Sequence, residues 1–242
     1  MVETLIIDDI KSFFHRYRKF TGDRTQLRLR EFKMRFGHTR VALQSIKTVF
    51  HEFNRNLAGD FNLFSLLGVE RFEVATHSAF LGALLNPQGT HGQMSLFLET
   101  FLRHFSAKVG HPFPTPNDDI GKATWYVDKE KVTAFGNLDL VISCPDLQFL
   151  LVIENKIGAV EQPDQLKRYA DWMDSQKNNF SSRILIYLTP RGDEAASANG
   201  CEYYPLSYHE DIKSWLEKSY GEIQAPRVKD AILQYLQVLK NL

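Results

Sequence analysis

Apolar residues recur at helical spacing through the first 57 residues of the chain. They predict an amphipathic helix over residues 3–20, a second, strongly basic helix over residues 24–36, and a third helix over residues 40–57. Thr21-Gly22-Asp23 predicts the first break and Gly37 the second, because glycine weakens a helix and Asp23 can cap the next one. We therefore expect an N-terminal arm of three helices.

Beyond the arm, helical and strand periods alternate, which predicts an α/β sandwich with a mixed central sheet. We place the boundary between a basic helical arm, residues 1–60, and the α/β domain, residues 61–242. A proline-rich stretch over residues 112–116 predicts a loop. The other predicted elements are helices over residues 73–85 and 91–105, strands over 123–132, 137–143 and 148–154, a helix over 163–176, strands over 182–189 and 201–205, and helices over 207–218 and 226–241.

The formal net charge of zero conceals an uneven distribution of charge along the chain. Residues 1–57 contain 12 Lys and Arg against 6 Asp and Glu, a net charge of +6. Residues 58–242 contain 17 against 23, a net charge of −6. The sequence therefore predicts a basic arm on an acidic body.

Several classes of protein are excluded or made less favourable by the composition. No run of about 18 apolar residues is present, which argues against a membrane-spanning helix. The first residues lack the basic and apolar regions of a signal peptide. Cys144 and Cys201 do not have metal-ligand spacing; they could form one disulfide, but we favour a reduced pair and a cytoplasmic protein.

Three charged residues interrupt strands that are otherwise apolar. Asp139 lies within one predicted strand, and Glu154 and Lys156 lie on the same face at the end of the next. Charges beside apolar strands are costly unless they compensate one another or bind a metal. They could be solvated strand ends or a structural ion pair, but two converging carboxylates with a nearby ammonium suit Mg²⁺ better.

The helix after these strands adds a second polar pair, Gln165 and Tyr169. The two residues are four positions apart, so they share a helical face. Only a few residues separate this helix from Lys156, and we therefore expect the face to point towards the carboxylates.

Together these residues resemble the PD-(D/E)XK nuclease superfamily, and specifically its RecB-like branch with a Gln-x-x-x-Tyr motif. The resemblance covers roughly residues 70–190 and implies a restriction-endonuclease-like core, a mixed sheet flanked by helices. It implies that Asp139 and Glu154 hold Mg²⁺, for which Mn²⁺ would substitute, and that Lys156 assists the attacking water. Gln165 and Tyr169 would bind the substrate. One departure is that Leu138 replaces the proline of the motif.

The resemblance also suggests further ligands on an earlier helix. Glu73 and His77 lie one helical turn apart and are candidate metal ligands, although either residue could instead be structural. Glu130, near the end of the first strand, is a candidate for a supporting position around the metal.

The sequence thus predicts a metal-dependent nuclease, with DNA as the favoured substrate and phage defence or repair as the setting. An inactive nucleic-acid-binding or assembly module and an RNA-cleaving effector are the alternatives. Basic residues of the arm, including Arg28 and Arg30, are candidate phosphate contacts. We also expect the arm to pair two copies of the chain, since its apolar residues exceed what phosphate contact requires.

Overall fold

A computed structural model describes residues 2–110 and 119–242; the predicted proline loop lies outside this range. The chain divides into two compact units, Met1–Phe61 and Asn62–Leu242. No helix among the described residues is both long and apolar enough to cross a membrane.

The first unit consists mainly of one helix, α1 (Val2–Leu57), so the predicted break into three helices is wrong. Glycine lowers helix stability by only about 1 kcal/mol relative to alanine, and residues 1–57 contain no proline. The hydroxyl of Thr39 bonds to the carbonyl oxygen of Arg35 four residues earlier, and Ser45 and Thr48 make equivalent bonds. These polar side chains therefore coexist with the helix.

The second unit alternates helices and strands, as the hydrophobic pattern predicts. Its helices and strands are α2 (Leu63–Leu67), α3 (Ala79–Leu84), α4 (Leu96–Val109), β1 (Tyr126–Thr133), β2 (Gly136–Cys144), β3 (Phe149–Asn155), α5 (Gln165–Ser175), β4 (Ser182–Thr189), β5 (Tyr204–Ser207), α6 (Lys213–Ser219) and α7 (Pro226–Leu239), with a 3-10 helix (Tyr220–Glu222) after α6. A π-helical segment (Glu73–Ser78) leads directly into α3, and a second one (Tyr208–Ile212) leads into α6.

The five strands form one mixed sheet in the order β1-β2-β3-β4-β5. The pairs β1–β2 and β2–β3 are antiparallel, whereas β3–β4 and β4–β5 are parallel. Every residue of the central strand β3 is buried. The predicted α/β fold with a mixed central sheet and an N-terminal helical extension is confirmed.

Two apolar cores cover the two faces of the sheet. The larger core joins one face to α3, α4, α6 and α7 through side chains such as Phe101, Trp215 and Tyr235. The smaller core joins the other face to α5 through Leu166, Tyr169 and Trp172. The α5 face also carries Glu154, and the smaller core is therefore the one that adjoins the site.

Helix α4 begins five residues later than the pattern predicts, at Leu96 rather than at residue 91. The intervening residues are held in turns by local polar bonds. The ring of His91 bonds to the Asn86 carbonyl oxygen at 2.8 Å and accepts the Gln93 N–H at 2.9 Å. Gly92 has a φ of 66°, which a continuing helix does not permit.

Candidate active site

Polar side chains lie next to one another across three neighbouring strands. In the β2–β3 register the last pair is Leu140 and Ile153, and the next residues along the two strands are Asp139 and Glu154. In the parallel pair β3–β4, Glu154 lies beside Tyr187. The sheet register therefore brings the two predicted carboxylates together on adjacent strands.

The Glu154 carboxylate is the centre of this group, and Glu154 is 0% exposed. Its Oε1 accepts hydrogen bonds from Lys156 Nζ at 2.9 Å and Gln165 Nε2 at 2.6 Å. Its Oε2 is buried and has no hydrogen-bond partner in the part of the chain that the structure describes. One oxygen is thus well satisfied, while the other bears an uncompensated desolvation cost of about 1–3 kcal/mol.

Burial and neighbouring negative charges oppose ionisation of Asp139 and Glu154. Burial is the largest effect on both side chains and raises both pKa values, and the charge of Asp139 raises the pKa of Glu154 further. The Lys156 ammonium acts in the opposite direction, as does the Asn155 N–H that donates to Asp139 Oδ2 at 2.8 Å. A bound cation would favour the ionised form of both carboxylates.

Lys156 retains its positive charge in this environment. Burial lowers the pKa of its ammonium, but the charges of Glu154, Asp139 and Glu73 outweigh burial and raise the pKa above its usual value. The Lys156 side chain is 12% exposed, so it lies at the border between the buried carboxylates and solvent. A protonated ammonium can donate hydrogen bonds to a developing negative charge but cannot accept a proton.

Helix α5 presents Gln165 and Tyr169 to Glu154 from a single face. Gln165 Nε2 also donates to the Tyr169 hydroxyl at 3.1 Å, and that hydroxyl donates to the carbonyl oxygen of Asn137. Gln165 and Tyr169 are only 5% and 2% exposed. These contacts bring both residues to the site, with their side chains directed at Glu154 and the sheet, and their role in substrate binding stays a prediction.

A family model for the PD-(D/E)XK nuclease superfamily matches residues 61–237. The match covers most of the chain and includes Asp139, Glu154 and Lys156. The chain belongs to this superfamily. Searches of curated proteins and of solved structures gave no match. The RecB-like branch stays a prediction. Arg28 and Arg30 lie on α1, outside the matched range, and both are exposed.

Within this superfamily domain, Glu73 bonds to the loop that follows Lys156. Its Oε1 accepts the N–H groups of Ile157 at 2.9 Å, Gly158 at 2.7 Å and Ala159 at 2.7 Å. Burial raises the pKa of Glu73, but these three bonds and the Lys156 charge outweigh it and lower the pKa. Glu73 is thus bonded through Oε1 to the loop after Lys156, and its role as a metal ligand stays a prediction.

The second ligand predicted on the same segment, His77, is fully buried away from the carboxylates. Its Nε2 lies 2.7 Å from the carbonyl oxygen of Glu70, and its Nδ1 lies 2.8 Å from the hydroxyl of Tyr235. A carbonyl only accepts, so Nε2 carries the hydrogen and Nδ1 accepts from Tyr235. Both ring nitrogens are in use, and His77 is a structural histidine rather than a ligand in this arrangement.

Glu130 lies on the edge strand β1, opposite Asp139 in the register set by the flanking pairs. It is exposed, and its charge raises the pKa of Asp139. Its φ of 49° is in the left-handed region, which costs a non-glycine residue about 1–2 kcal/mol. Glu130 thus affects Asp139 through charge, and its supporting role at a metal stays a prediction.

Sequence reasoning missed Asn155, which connects the site to the rest of the domain. Its Nδ2 donates to the Glu73 carbonyl oxygen and to Ser78 Oγ, both at 3.1 Å, and its Oδ1 accepts from the Tyr208 hydroxyl at 3.0 Å. Asn155 is 2% exposed. The only signal in the sequence is a polar amide directly between Glu154 and Lys156.

A pocket of about 480 Å³ opens beside Lys156. Its wall contains the loop Ile157–Ala159 and the side chains of Lys156 and Arg191. Three acidic residues line the same pocket: Glu161, Asp193 and Glu194. The immediate approach to the site is therefore of mixed charge and does not by itself attract phosphates strongly.

Proposed function

We propose that this protein is a metal-dependent nuclease that hydrolyses phosphodiester bonds, with DNA as the favoured substrate. The observation that carries the proposal is the half-satisfied Glu154 carboxylate, which has Lys156 and Gln165 on one oxygen and an unpartnered, buried second oxygen beside Asp139. Superfamily membership supports the same chemistry. Phage defence or repair stays a prediction.

The residues present fit a divalent metal that needs few protein ligands. Among the described residues, no three or more His, Cys, Asp and Glu side chains are grouped so as to hold a metal. Mg²⁺ is commonly bound by only one or two carboxylates, because it retains several waters and takes oxygens from the substrate phosphate. Asp139 and Glu154 would hold this ion, and Mn²⁺ would substitute for it.

Each side chain of the site then has a distinct part in phosphodiester hydrolysis. When bound, the metal supplies Lewis-acid activation of the phosphate and acidifies the attacking water. Lys156, which is protonated, donates to the negative charge that develops on the phosphate. Gln165 and Tyr169 keep the Glu154 carboxylate in one orientation. This arrangement favours Lys156 as an electrostatic stabiliser rather than as a base.

Helix α1 is the proposed source of phosphate contacts. Its basic residues include Arg28, Arg30 and Arg35, all of which are exposed. Phosphate contacts contribute affinity without reading sequence, so a basic helix can compensate for an acidic catalytic body.

The same helix is proposed to pair with α1 of a second copy of the chain. Seven exposed apolar residues follow the three-and-four spacing of a coiled-coil seam over about 36 Å of the helix, and the polar Thr39 occupies one further position of that seam. They are Leu29, Phe32, Phe36, Leu43, Ile46, Phe50 and Phe53. Their exposed fractions of 50% to 64% leave this seam to be covered by a partner helix.

A digestion assay on several substrates tests the proposed function. We expect the purified protein to cleave supercoiled, linear or single-stranded DNA with Mg²⁺ or Mn²⁺ and to be inactive with EDTA. Preferential cleavage of RNA would support the RNA-cleaving alternative. Metal-independent binding without cleavage of any substrate would support the inactive binding module.

A further inference from the structure

One residue, Glu73, is bonded to the chain on both sides of Lys156. Before Lys156, the Asn155 side chain donates to the Glu73 carbonyl oxygen at 3.1 Å. After Lys156, the loop Ile157–Ala159 donates three successive N–H groups to Glu73 Oε1 at 2.9, 2.7 and 2.7 Å. Four hydrogen bonds therefore fix the backbone that carries the lysine to a residue about 80 positions earlier in the chain.

We propose that Glu73 is a positioning residue that clamps this backbone and so holds the Lys156 ammonium against Glu154, and that it is not a metal ligand. The inference rests on the proposed nuclease function only for its effect on activity. The clamp itself is a statement about hydrogen bonds and can be measured without any substrate.

The geometry of the loop explains why a carboxylate is needed at this position. Three consecutive N–H groups that point at one oxygen form a small anion-binding concavity. A bond from an N–H group to an ionised carboxylate is about twice as strong as one to a neutral acceptor. Gly158 and Ala159 are exposed and offer little packing of their own. Lys156 itself is held by its N–H, which donates to the Leu188 carbonyl oxygen at 2.8 Å, and Ile157 packs against the larger core. Without Glu73, the N–H groups of Ile157, Gly158 and Ala159 would lose the acceptor that they share.

The clamp and the metal-ligand interpretation differ in their demands on the Glu73 side chain. Only Oε1 accepts bonds from the loop, so a glutamine can keep one carbonyl oxygen in the same place. A metal ligand must instead supply negative charge, which Glu73→Gln removes as completely as Glu73→Ala does. The two variants should therefore behave differently for a clamp and alike for a ligand.

The experiment measures cleavage kinetics and Mg²⁺ dependence for the wild type, E73Q and E73A. We expect E73A to lower kcat by about tenfold or more, because charge-assisted bonds are lost, and E73Q to stay within about threefold of the wild type. The Mg²⁺ concentration for half-maximal activity should be unchanged in both variants. An increase of about tenfold or more in that concentration for E73Q would overturn the proposal.

Added carboxylate provides a readout that a general loss of stability would not change. Formate should fill the concavity left by E73A and restore part of its kcat, while leaving wild type unaffected. The matched control is D146A, since Asp146, in the turn between β2 and β3, also accepts a backbone N–H, that of Thr124 at 2.8 Å. We expect normal kcat and no formate effect in D146A; rescue of D146A equal to that of E73A would contradict a specific concavity.

Amide hydrogen exchange separates the clamp from the nuclease function. The N–H groups of Ile157, Gly158 and Ala159 should exchange slowly in the wild type, faster in E73Q and fastest in E73A. If the wild type cleaves no nucleic acid, the proposed function is contradicted. The exchange rates still test the clamp in that case. Equal exchange in the wild type and E73A, or loss of Mg²⁺ binding in E73Q, would overturn the clamp. E73Q serves as the deciding variant if E73A does not fold.

Discussion

At the scale of single residues, the two carboxylate oxygens of Glu154 have opposite effects on stability: one is hydrogen-bonded, and the other is buried without a partner among the described residues. Oε1 is bonded to Lys156 and Gln165, whereas Oε2 is buried without a partner among the described residues. Burial and Asp139 raise the pKa of Glu154, which means that the folded protein favours its neutral form. The ionised carboxylate therefore lowers the free energy of unfolding until a cation compensates it.

This imbalance predicts that E154Q stabilises the metal-free protein. The glutamine keeps an oxygen for Lys156 and Gln165 and removes the buried charge, so we expect the free energy of unfolding to rise by about 1–2 kcal/mol at neutral to alkaline pH. Urea unfolding in EDTA measures the difference. Mg²⁺ should stabilise the wild type and leave E154Q unchanged. A less stable E154Q in EDTA would contradict this explanation.

The sequence identified site residues whose charge is unfavourable within an apolar strand. It did not identify the roles of residues that are set by contacts distant in the chain. Asp139, Glu154 and Lys156 stand out because charges interrupt apolar strands. Glu73 and His77 do not reveal their roles, because their partners lie at the loop after β3 and in α7. A helical spacing of four residues is equally compatible with a ligand pair and with two separate structural contacts.

At the scale of elements, α4 is joined by a buried carboxylate to the π-helical segment that leads into α6. Asp211 Oδ2 lies 2.5 Å from Lys108 Nζ on α4 and accepts the Ser207 N–H at 2.7 Å. Burial raises the pKa of Asp211, but His104, Lys108 and the Ser207 N–H outweigh it and lower the pKa to about 2. The side chain is 8% exposed, so these interactions are only partly screened by solvent.

The depressed pKa predicts a defined pH dependence of stability. A carboxyl group whose folded pKa is below its unfolded value stabilises the fold above the unfolded pKa, and this contribution is lost as pH falls from about 4 to about 2. D211N should therefore lower the free energy of unfolding by about 2 kcal/mol at pH 7, and less as pH falls. Urea unfolding of both proteins at pH 7, 4 and 3 measures this. A constant difference at all three values would contradict it.

Helix α1 provides an element-scale prediction about association. Glutamate in place of Phe36, within the apolar seam, should convert a dimer to a monomer in light scattering, because two buried charges would face each other. Val41 is a matched control, since it is 62% exposed but lies on the opposite side of the helix from Phe36. Val41→Glu should leave the mass unchanged. A monomeric wild type, or equal effects of both variants, would contradict pairing through this seam.

The type of most elements followed from the sequence, whereas several boundaries did not. The strand predicted over residues 182–189 coincides with β4, and its short continuous apolar run is typical of a strand that is buried on both faces. The breaks predicted in α1 are absent, since a single glycine costs too little to end a helix. The π-helical segments that begin at Glu73 and Tyr208 leave no mark in hydrophobic spacing and depend on tertiary contacts.

At the scale of the whole molecule, opposite charges lie in different parts of the chain. The helical arm carries the net +6 and the remainder the net −6 derived from the sequence. We expect glutamine at Arg28, Arg30 and Arg35 together to weaken binding to duplex DNA and to reduce the slope of log affinity against log salt by about 2–3 units. Fluorescence anisotropy in 50–200 mM salt measures this slope. An unchanged slope would mean that α1 does not contact phosphates.

The central claim is that Asp139, Glu154 and Lys156 form one metal-dependent nuclease site. The most direct measurement is the initial rate of DNA cleavage with Mg²⁺ by the wild type, D139N, E154Q and Lys156→Met, purified identically and confirmed as folded by circular dichroism. We predict that each variant loses at least about 100-fold, because a charge acting on the transition state is removed. Cleavage by all four proteins at the same rate would contradict the claim.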